Sequence, residues 1–328
     1  MSAQALSIPN APDLEISDIH PLRELESVNH LLDDHAALMR FYDENGYILL
    51  RNVLSPASIA RARQEMFAVL ERHGAIAPGD TQGVWTGKPF PGDMEESAEF
   101  SGISKRLVED PANLKLMEKI LGEPACMVPN VQYRAYAPGS AFGRVHQDGF
   151  YSPGIQDYKP VWITLTDCDR KMGGLALAVG QNKRGYFHNL AKPPTFSIPR
   201  DAIPADSWAT TDYRAGDALI VHPYTPHTGM PNGSNRFRVS FDTRVQSAKN
   251  PSAVAATVKS VTPNSITVQI DERGEKTFNV DKECFIRVRS PGVREKFEDF
   301  ANITKPGMRL IVVSEGNRAV MLRKAAEG

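Results

Sequence analysis

After Pro124 the sequence changes from helical periodicity to short alternating stretches, and this change most limits the folds open to the chain. Five stretches carry the alternating or short apolar pattern: 131–136, 161–166, 175–179, 218–221 and 237–241. Successive side chains of a strand point to opposite faces, so such runs are typical of strands. Short strands between Gly/Pro turns, after a helical N-terminal third, predict an antiparallel barrel or sandwich backed by helices.

Three helices are predicted before that change, and their ends carry recognisable residues. The side chains of Asp33-Asp34, Ser55 and Asp110 can accept hydrogen bonds from the first turn of a helix. Gly46 and Gly122 fit the position just after a helix end. We interpret the apolar stripes of these helices as core packing.

The chain of 328 residues can hold one large domain and a small appendix. We interpret residues 1–30 as a loosely packed N-terminal extension and residues 31–250 as the main domain. A break near 248–252 precedes residues 251–328, whose strands and polar turns predict a small β-barrel of SH3 or OB size. This part contains no histidine. We therefore expect it to serve packing or assembly, which leaves a homo-oligomer open.

Charge and cysteine content exclude several classes of function. The 38 basic and 39 acidic residues nearly balance, so no nucleic acid and no membrane surface is expected as a partner. The three cysteines are scattered and form neither a CxxC pair nor a disulfide framework. No apolar run is long enough to span a bilayer. These observations predict a soluble, cytoplasmic protein with a small-molecule substrate.

The candidate site begins with His146-Gln-Asp148. Positions i and i+2 of a strand share a face, so the imidazole and the carboxylate can reach one point. A second candidate histidine, His227, follows about eighty residues later. A His-x-Asp by itself is weak, because chance copies are common. Two imidazoles and one carboxylate nevertheless form the facial triad of non-haem Fe(II) oxygenases.

Hairpin geometry supplies a fourth residue. Asn232-Gly233 is a strong two-residue turn signal, and that register places His227 directly opposite Arg238. His222 lies an odd number of positions from His227, so it should face away from the site. Arg236 shares the face of Arg238 but lies nearer the predicted tip.

The metal, the cosubstrate and the arginine are then consistent with one another as parts of a single site. Iron held by His146, Asp148 and His227 keeps three positions, of which a bidentate 2-oxo acid takes two and O₂ the third. Arg238 could bind the far carboxylate of 2-oxoglutarate through a charge-assisted pair. Zinc is less natural, since catalytic zinc usually keeps one open position.

The region from about Gly46 to Val245 resembles the phytanoyl-CoA dioxygenase family of Fe(II)/2-oxoglutarate oxygenases. Residues 46–55 are similar to its opening strand and helix start, and His146-Gln-Asp148 to its His-x-Asp. Residues 173–180 are similar to its Gly-x-Leu segment. His227 followed by Arg238 matches its distal histidine and its 2-oxoglutarate arginine.

The resemblance implies a double-stranded β-helix, that is, a jelly-roll (cupin-like) barrel with flanking helices. It also implies Fe(II) with 2-oxoglutarate and O₂ as cosubstrates, and oxidation of an unactivated C–H bond with release of succinate and CO₂. Residues 180–183 depart from the family's Gly-Ser-His-Lys, and residues beyond about 252 lie outside its pattern. Related halogenases carry a small residue at the position of Asp148, so its presence favours oxygenation.

Further residues are predicted around the centre. Trp162 and Thr164 share a strand face, and Trp162 matches a family position lining the cosubstrate pocket. Gln132 could hydrogen-bond cosubstrate or substrate. Phe150 and Tyr151 could line the substrate side. The Gly- and Pro-rich stretch 78–102 is interpreted as a lid.

Two other functions are compatible with parts of this pattern. A cupin-like metalloenzyme catalysing hydrolysis or isomerisation would need the triad but not Arg238. A non-catalytic binding barrel would use the C-terminal module as its interaction surface. The sequence does not identify the substrate. It also does not separate hydroxylation from desaturation, epimerisation or cyclisation, which share the same iron centre.

Overall fold

The computed structural model describes residues 5–90, 98–129, 132–140, 144–152, 158–289 and 294–325, without the side chains of 98, 101 and 132–134. Two facing β-sheets form a jelly-roll barrel, helices cover the outer face of one sheet, and a second β-barrel follows at the C-terminal end. The predicted fold class is confirmed.

Six α-helices occur among the described residues: α1 (His35–Asn45), α2 (Pro56–Arg72), α3 (Ala98–Val108), α4 (Pro111–Leu121), α5 (Asp148–Tyr151) and α6 (Phe300–Ile303). The predicted caps of α1, α2 and α4 are confirmed. Asp34, Ser55 and Asp110 each accept a hydrogen bond from a backbone N–H of the first turn. Gly46 and Gly122 follow helix ends with φ of 79° and 76°, a conformation that glycine adopts without strain.

The major sheet has the order β2-β8-β5-β10-β3, and β4 also pairs with β10. Its strands are β2 (Tyr47–Leu50), β3 (Ala125–Met127), β4 (Gln132–Tyr136), β5 (Lys159–Thr164), β8 (Ala218–Val221) and β10 (Arg238–Ser247). The long strand β10 therefore contacts β5 along one edge and β4 and β3 along the other. This central place makes β10 the main wall of the barrel.

The minor sheet has the order β1-β7-β6-β9. Its strands are β1 (Arg23–Glu24), β6 (Leu175–Ala178), β7 (Trp208–Thr210) and β9 (His227–Gly229). Leu175 and Leu177 face the major sheet and pack with Trp162 and Leu219 in the core between the sheets. Both sheets thus direct side chains into a shared interior.

The outer face of the major sheet forms the largest apolar core. Ile163, Ile220 and Phe241 pack there against Met66 of α2 and Met117 of α4, all fully buried or nearly so. Alternation along each strand leaves its other residues for the interior of the barrel. A strand such as β10 can therefore carry core residues on one face and polar residues on the other.

Residues 5–30 are not loosely packed, contrary to the expectation for the N-terminal extension. Leu14 and Ile19 are buried against the minor sheet beside Trp208. Leu25 is buried between the sheets, and the short strand β1 extends the minor sheet by pairing with β7. The apolar residues of this segment follow neither the helical nor the strand period, so its sequence lacks a periodic signal although the segment is well packed.

The predicted hairpin at Asn232-Gly233 is wrong. A type I′ turn needs positive φ at both central residues, and neither residue has it among the described backbone. Instead β9 pairs with β6 and β10 pairs with β4 and β5, in opposite sheets. The connection crosses from one sheet to the other. The Asn232 amide supports this crossing by donating to the carbonyls of Tyr136 and Arg236.

The predicted lid stretch 78–102 includes residues 91–97, which lie outside the described residues. Its earlier part packs on the helical side of the major sheet, because Phe90 contacts Phe237 and Gly83 accepts a hydrogen bond from the Phe237 N–H. Its last residues belong to α3. The described parts therefore do not cover the face of β10 that points into the barrel.

The C-terminal barrel is a six-stranded sheet of order β13-β12-β11-β15-β16-β14, closed by pairing of β13 with β16. Its strands are β11 (Ala253–Thr262), β12 (Ser265–Ile270), β13 (Gly274–Asn279), β14 (Phe285–Arg287), β15 (Arg309–Glu315) and β16 (Arg318–Lys324). It has its own apolar core. Ala253 and Val313 also pack against Tyr158 and Val128 of the jelly roll.

Candidate metal centre

Three predicted ligands meet inside the barrel. The backbone N–H groups of His146 and His227 each donate to the other residue's carbonyl, at 3.0 and 2.9 Å, which places His146 beside β9 at the edge of the minor sheet. Asp148 follows on the first turn of α5, with Oδ1 3.8 Å from Nε2 of His146. One ligand atom of each residue lies within 4.8 Å of those of the other two. The true cross-strand partner of His227 is thus His146 rather than Arg238.

Gln147 fixes the chain between the two ligands. Its side chain is buried, donates to the carbonyls of Gly185 and Tyr224 at 2.8 and 2.7 Å, and accepts from the Phe187 N–H at 2.8 Å. With Gln147 anchored in the opposite direction, His146 and Asp148 are both held towards the barrel interior. The x position of the motif is therefore a structural residue.

The donor set fits a divalent transition metal. Nδ1 of His227 donates to the Thr225 carbonyl at 3.0 Å, so the proton is on Nδ1 and Nε2 carries the lone pair. Such outer hydrogen bonds orient histidine ligands in metal sites. Two imidazoles with one carboxylate suit Fe(II) and leave positions open. His146, Asp148 and His227 are the residues that would hold the ion.

A buried arginine lies against the carboxylate ligand. Nη2 of Arg244 is 3.0 Å from Oδ1 of Asp148, and the two side chains are 6% and 14% exposed. Burial raises the pKa of Asp148, but the Arg244 guanidinium, His227 and His146 outweigh it and lower that pKa to about 2. The carboxylate is therefore ionised throughout the physiological range. Arg244 was not among the predicted site residues.

Arg238 lies in the same interior as the triad. It is 1% exposed and lines a cavity together with His146, His227 and Trp162. Its Nη1 donates to the carbonyls of Gly173 and Met230, and its guanidinium lies 4.4 Å above the Tyr136 ring. A buried cation beside the triad can bind a carboxylate of a metal-bound ligand.

The predicted proximity of Arg238 and His227 is therefore confirmed, although not by the predicted pairing. Both side chains reach the interior from facing sheets. His222 lies outside the cluster as expected, but it follows the end of β8 rather than sharing a strand with His227. Its ring contacts Tyr42, and Nδ1 accepts from the Tyr224 N–H. Arg236 instead bonds to Gln82 at the surface.

The sequence pattern of the phytanoyl-CoA dioxygenase (PhyH) family matches residues 42–240, which include the triad and Arg238. The chain belongs to this family. Two 1-deoxypentalenic acid 11-beta-hydroxylases, from Streptomyces exfoliatus and Streptomyces arenae, are 33% identical to it over 237 residues, covering 67% of this chain and 84% of theirs. The family match ends at residue 240, before the C-terminal barrel.

Solved structures share the fold. The epimerase SnoN, determined with Fe3+, alpha ketoglutarate and nogalamycin RO, superposes with a TM-score of 0.51 at 17% identity, covering 88% of this chain and 99% of that one. EctD from S. alaskensis has a TM-score of 0.50 at 14% identity, covering 76% and 88% of the two chains. Both likenesses support the jelly-roll assignment.

As a PhyH-family member the chain is an Fe(II)/2-oxoglutarate-dependent oxygenase that uses O₂. Family membership decides against the two alternatives, the non-redox metalloenzyme and the non-catalytic barrel. Among the described residues, none of the helices combines the length and apolar character needed to cross a membrane.

The residues predicted around the centre differ in their placement. Trp162 lines the cavities on both sides of the triad, packed against Tyr213. Thr164 is buried, but its hydroxyl donates to the Thr166 carbonyl at 2.6 Å and it lines neither cavity. The side chain of Gln132 lies outside the described residues. The roles of Trp162, Thr164 and Gln132 in binding stay predictions.

Phe150 and Tyr151 follow the ligand Asp148 on α5. Phe150 stacks on His188 at 4.0 Å between ring centroids, and burial lowers the pKa of His188 to about 4. Tyr151 lies 6.3 Å from the His146 ring and is 43% exposed. Phe150 is therefore part of a packed aromatic cluster, whereas Tyr151 stands between the triad and solvent.

Two residues were missed by the sequence reasoning. A signal for Arg244 did exist, because it lies an even number of positions from Arg238 on one strand and so shares its face. Gln147 carried no such signal, since its partners come from two distant loops.

Proposed function

We propose that this oxygenase hydroxylates an unactivated C–H bond of an apolar, ring-bearing small molecule that carries a carboxylate. The observation that carries the site assignment is that His146, His227 and buried Arg238 line one cavity. The substrate class is supported by the rim of the site and by the relatives, whose names give a carboxylic acid as substrate.

Each side chain has a defined task in this proposal. His146, Asp148 and His227 bind Fe(II), and Arg238 binds the far carboxylate of 2-oxoglutarate. With 2-oxoglutarate and O₂ the iron supplies the oxidising power that cleaves an unactivated C–H bond. Trp162 lines both cavities beside the triad, and its ring would help to exclude water from them.

Charge balance favours an apolar reacting group. Asp148, Asp242, Arg238 and Arg244 all line the cavities, two acidic and two basic. Fe(II) and the 2-oxoglutarate dianion also cancel. The loaded interior therefore carries no excess charge to attract an ionic group, and the substrate's carboxylate would stay outside it.

The rim offers a place for that carboxylate. The Arg144 guanidinium lies 5.9 Å from the centre of the Tyr151 ring and donates to the Thr195 carbonyl at 2.9 Å. Tyr151 in turn neighbours His146. An aromatic surface with a cation at its outer end fits an apolar ring system bearing an acid.

The cofactor assignment is tested by adding Fe(II) and then 2-oxoglutarate to the protein without oxygen. We expect the weak visible metal-to-ligand charge-transfer band of a chelated 2-oxo acid. A folded wild-type protein that gives no band would refute the assignment.

The substrate class is tested by turnover with a panel of polycyclic acids and their methyl esters. Hydroxylation adds one oxygen to the product mass, whereas desaturation removes two hydrogens and epimerisation leaves the mass unchanged. Arg144→Gln should raise KM for acids only. Arg170→Gln is the matched control, because Arg170 is exposed, pairs with Glu24 and lines neither cavity. Equal use of acids and esters by wild type would contradict the proposed carboxylate.

We also propose the division into residues 31–250 and 251–328, a cytoplasmic location and a homo-oligomer. Limited proteolysis should cut first between β10 and β11. Sedimentation should give a mass above 36.2 kDa, and a monomer at all concentrations would refute the oligomer.

A further inference from the structure

Arg244 is the charged residue closest to the metal ligands that the proposed function leaves without a task. It lies on β10, its backbone carbonyl accepts from the Val128 N–H at 2.8 Å, and it is opposite Pro160 of β5. The guanidinium is buried and lines a cavity with His146, Asp148 and His227. Backbone contacts on both sides of β10 thus fix the backbone position of Arg244.

We propose that Arg244 is a positioning residue that restrains the Asp148 carboxylate, so that this ligand offers the metal one oxygen and leaves the 2-oxoglutarate positions open. The inference rests on the proposed metal role of Asp148. A carboxylate can bind a metal through one oxygen or both, and a second bound oxygen would occupy a position that the cosubstrate needs.

The contact geometry suits this task. A single Nη2–Oδ1 contact of 3.0 Å joins the two groups, rather than the parallel pair of bonds that would engage both carboxylate oxygens. Arg244 thus holds the carboxylate at Oδ1, which is also the oxygen 3.8 Å from Nε2 of His146, and this single contact sets the orientation of the group. Tyr158 is buried near the pair.

A measurement of metal affinity alone would not test this role, because Arg244 makes one favourable and one unfavourable contribution to metal binding. A fixed ligand favours binding, since outer-shell partners commonly change metal affinity 10- to 100-fold (order of magnitude). The positive charge of Arg244 repels a divalent cation and opposes binding. Coordination geometry and 2-oxoglutarate affinity are therefore the informative measurements.

The experiment uses Co(II), whose visible d–d bands report coordination number, bound to full-length metal-free protein without oxygen. Wild type, Arg244→Lys and Arg244→Met are compared before and after 2-oxoglutarate. Arg238→Met is the matched control, since it removes the other buried arginine from the same face of β10.

We expect Arg244→Met to change the d–d bands before 2-oxoglutarate is added and to weaken 2-oxoglutarate binding about 10-fold or more. Arg244→Lys should restore much of both. Arg238→Met should weaken 2-oxoglutarate binding and leave the initial bands unchanged. Unchanged initial bands in Arg244→Met would overturn the inference, including the case in which it loses 2-oxoglutarate as Arg238→Met does.

Folding is checked by circular dichroism. If Arg244→Met does not fold, Arg244→Gln takes its place and the same band criterion applies. Wild type that binds Co(II) but not 2-oxoglutarate would refute the proposed function, while the initial bands would still decide the role of Arg244.

Discussion

The two faces of β10 differ in role: the outward face packs the core and the inward face lines the site. Phe241 and Val239 point outward and pack against the helices, whereas Arg238 and Arg244 point into the barrel beside the triad. The outward face stabilises the fold through buried apolar area, and the inward face binds charged groups. Residues one position apart should therefore differ in whether their loss affects stability or ligand binding.

The largest effect is expected on the outward face. Phe241→Ala removes a fully buried ring and should lower the free energy of unfolding by about 3–5 kcal/mol. Chemical denaturation measures this. Ser240→Ala is the neighbouring control on the inward face and should cost far less. If folded Phe241→Ala also lost 2-oxoglutarate affinity, the two faces would not be separable.

On the inward face, Arg238→Met should weaken 2-oxoglutarate binding to the Fe(II)-loaded protein by about 3 kcal/mol, because a buried charge pair loses one partner. Anaerobic titration followed by the charge-transfer band measures it. Fe(II) affinity should change little, and the unfolding free energy should change less than in Phe241→Ala. Normal 2-oxoglutarate binding would remove Arg238 from the site.

Gly173→Ala should affect both properties at once. Gly173 has φ +75°, its carbonyl accepts from Arg238, and an added Cβ would lie 2.2 Å from the Pro231 carbonyl oxygen. We expect a loss of about 2–3 kcal/mol in unfolding free energy together with weaker 2-oxoglutarate binding. Gly87→Ala is the matched control, with φ +89° but open space around it. Equal losses in both variants would show that the close approach is unimportant.

The smallest effect is expected on the pH dependence of stability, to which two buried histidines outside β10 contribute. Burial lowers the pKa values of His188 and His222 to about 4, from about 6.5. As pH falls from 6.5 towards 4, the unfolded chain takes up protons that the folded protein does not, so stability falls, by about 1–3 kcal/mol per histidine. The low pKa of Asp148 makes its contribution disappear only between about pH 4 and 2. His222→Phe should reduce the fall in unfolding free energy between pH 6.5 and 4 and leave the fall between about pH 4 and 2 unchanged. Chemical denaturation at several pH values measures both, and an unchanged slope in the upper range would contradict this.

Much of the site was accessible from sequence because its information is local. His-x-Asp spacing and helix caps such as Asp34 and Gly46 depend on neighbours along the chain, and both were confirmed in position. The hairpin prediction was wrong because the pairing of β9 and β10 with strands of opposite sheets outweighs the turn preference of Asn232-Gly233. Arg244 was overlooked because its partner, Asp148, is distant in sequence.

The small barrel covers two apolar side chains of the jelly roll, Val128 and Tyr158. Gln246, two residues after Arg244, bonds to both the N–H and the carbonyl of Ala253, and Val313 packs on Tyr158. A protein shortened to the family-matched residues 42–240 would end within β10, would lose Arg244 and would expose Val128 and Tyr158. Such a fragment should aggregate on expression, so recombinant work on this enzyme calls for the intact chain.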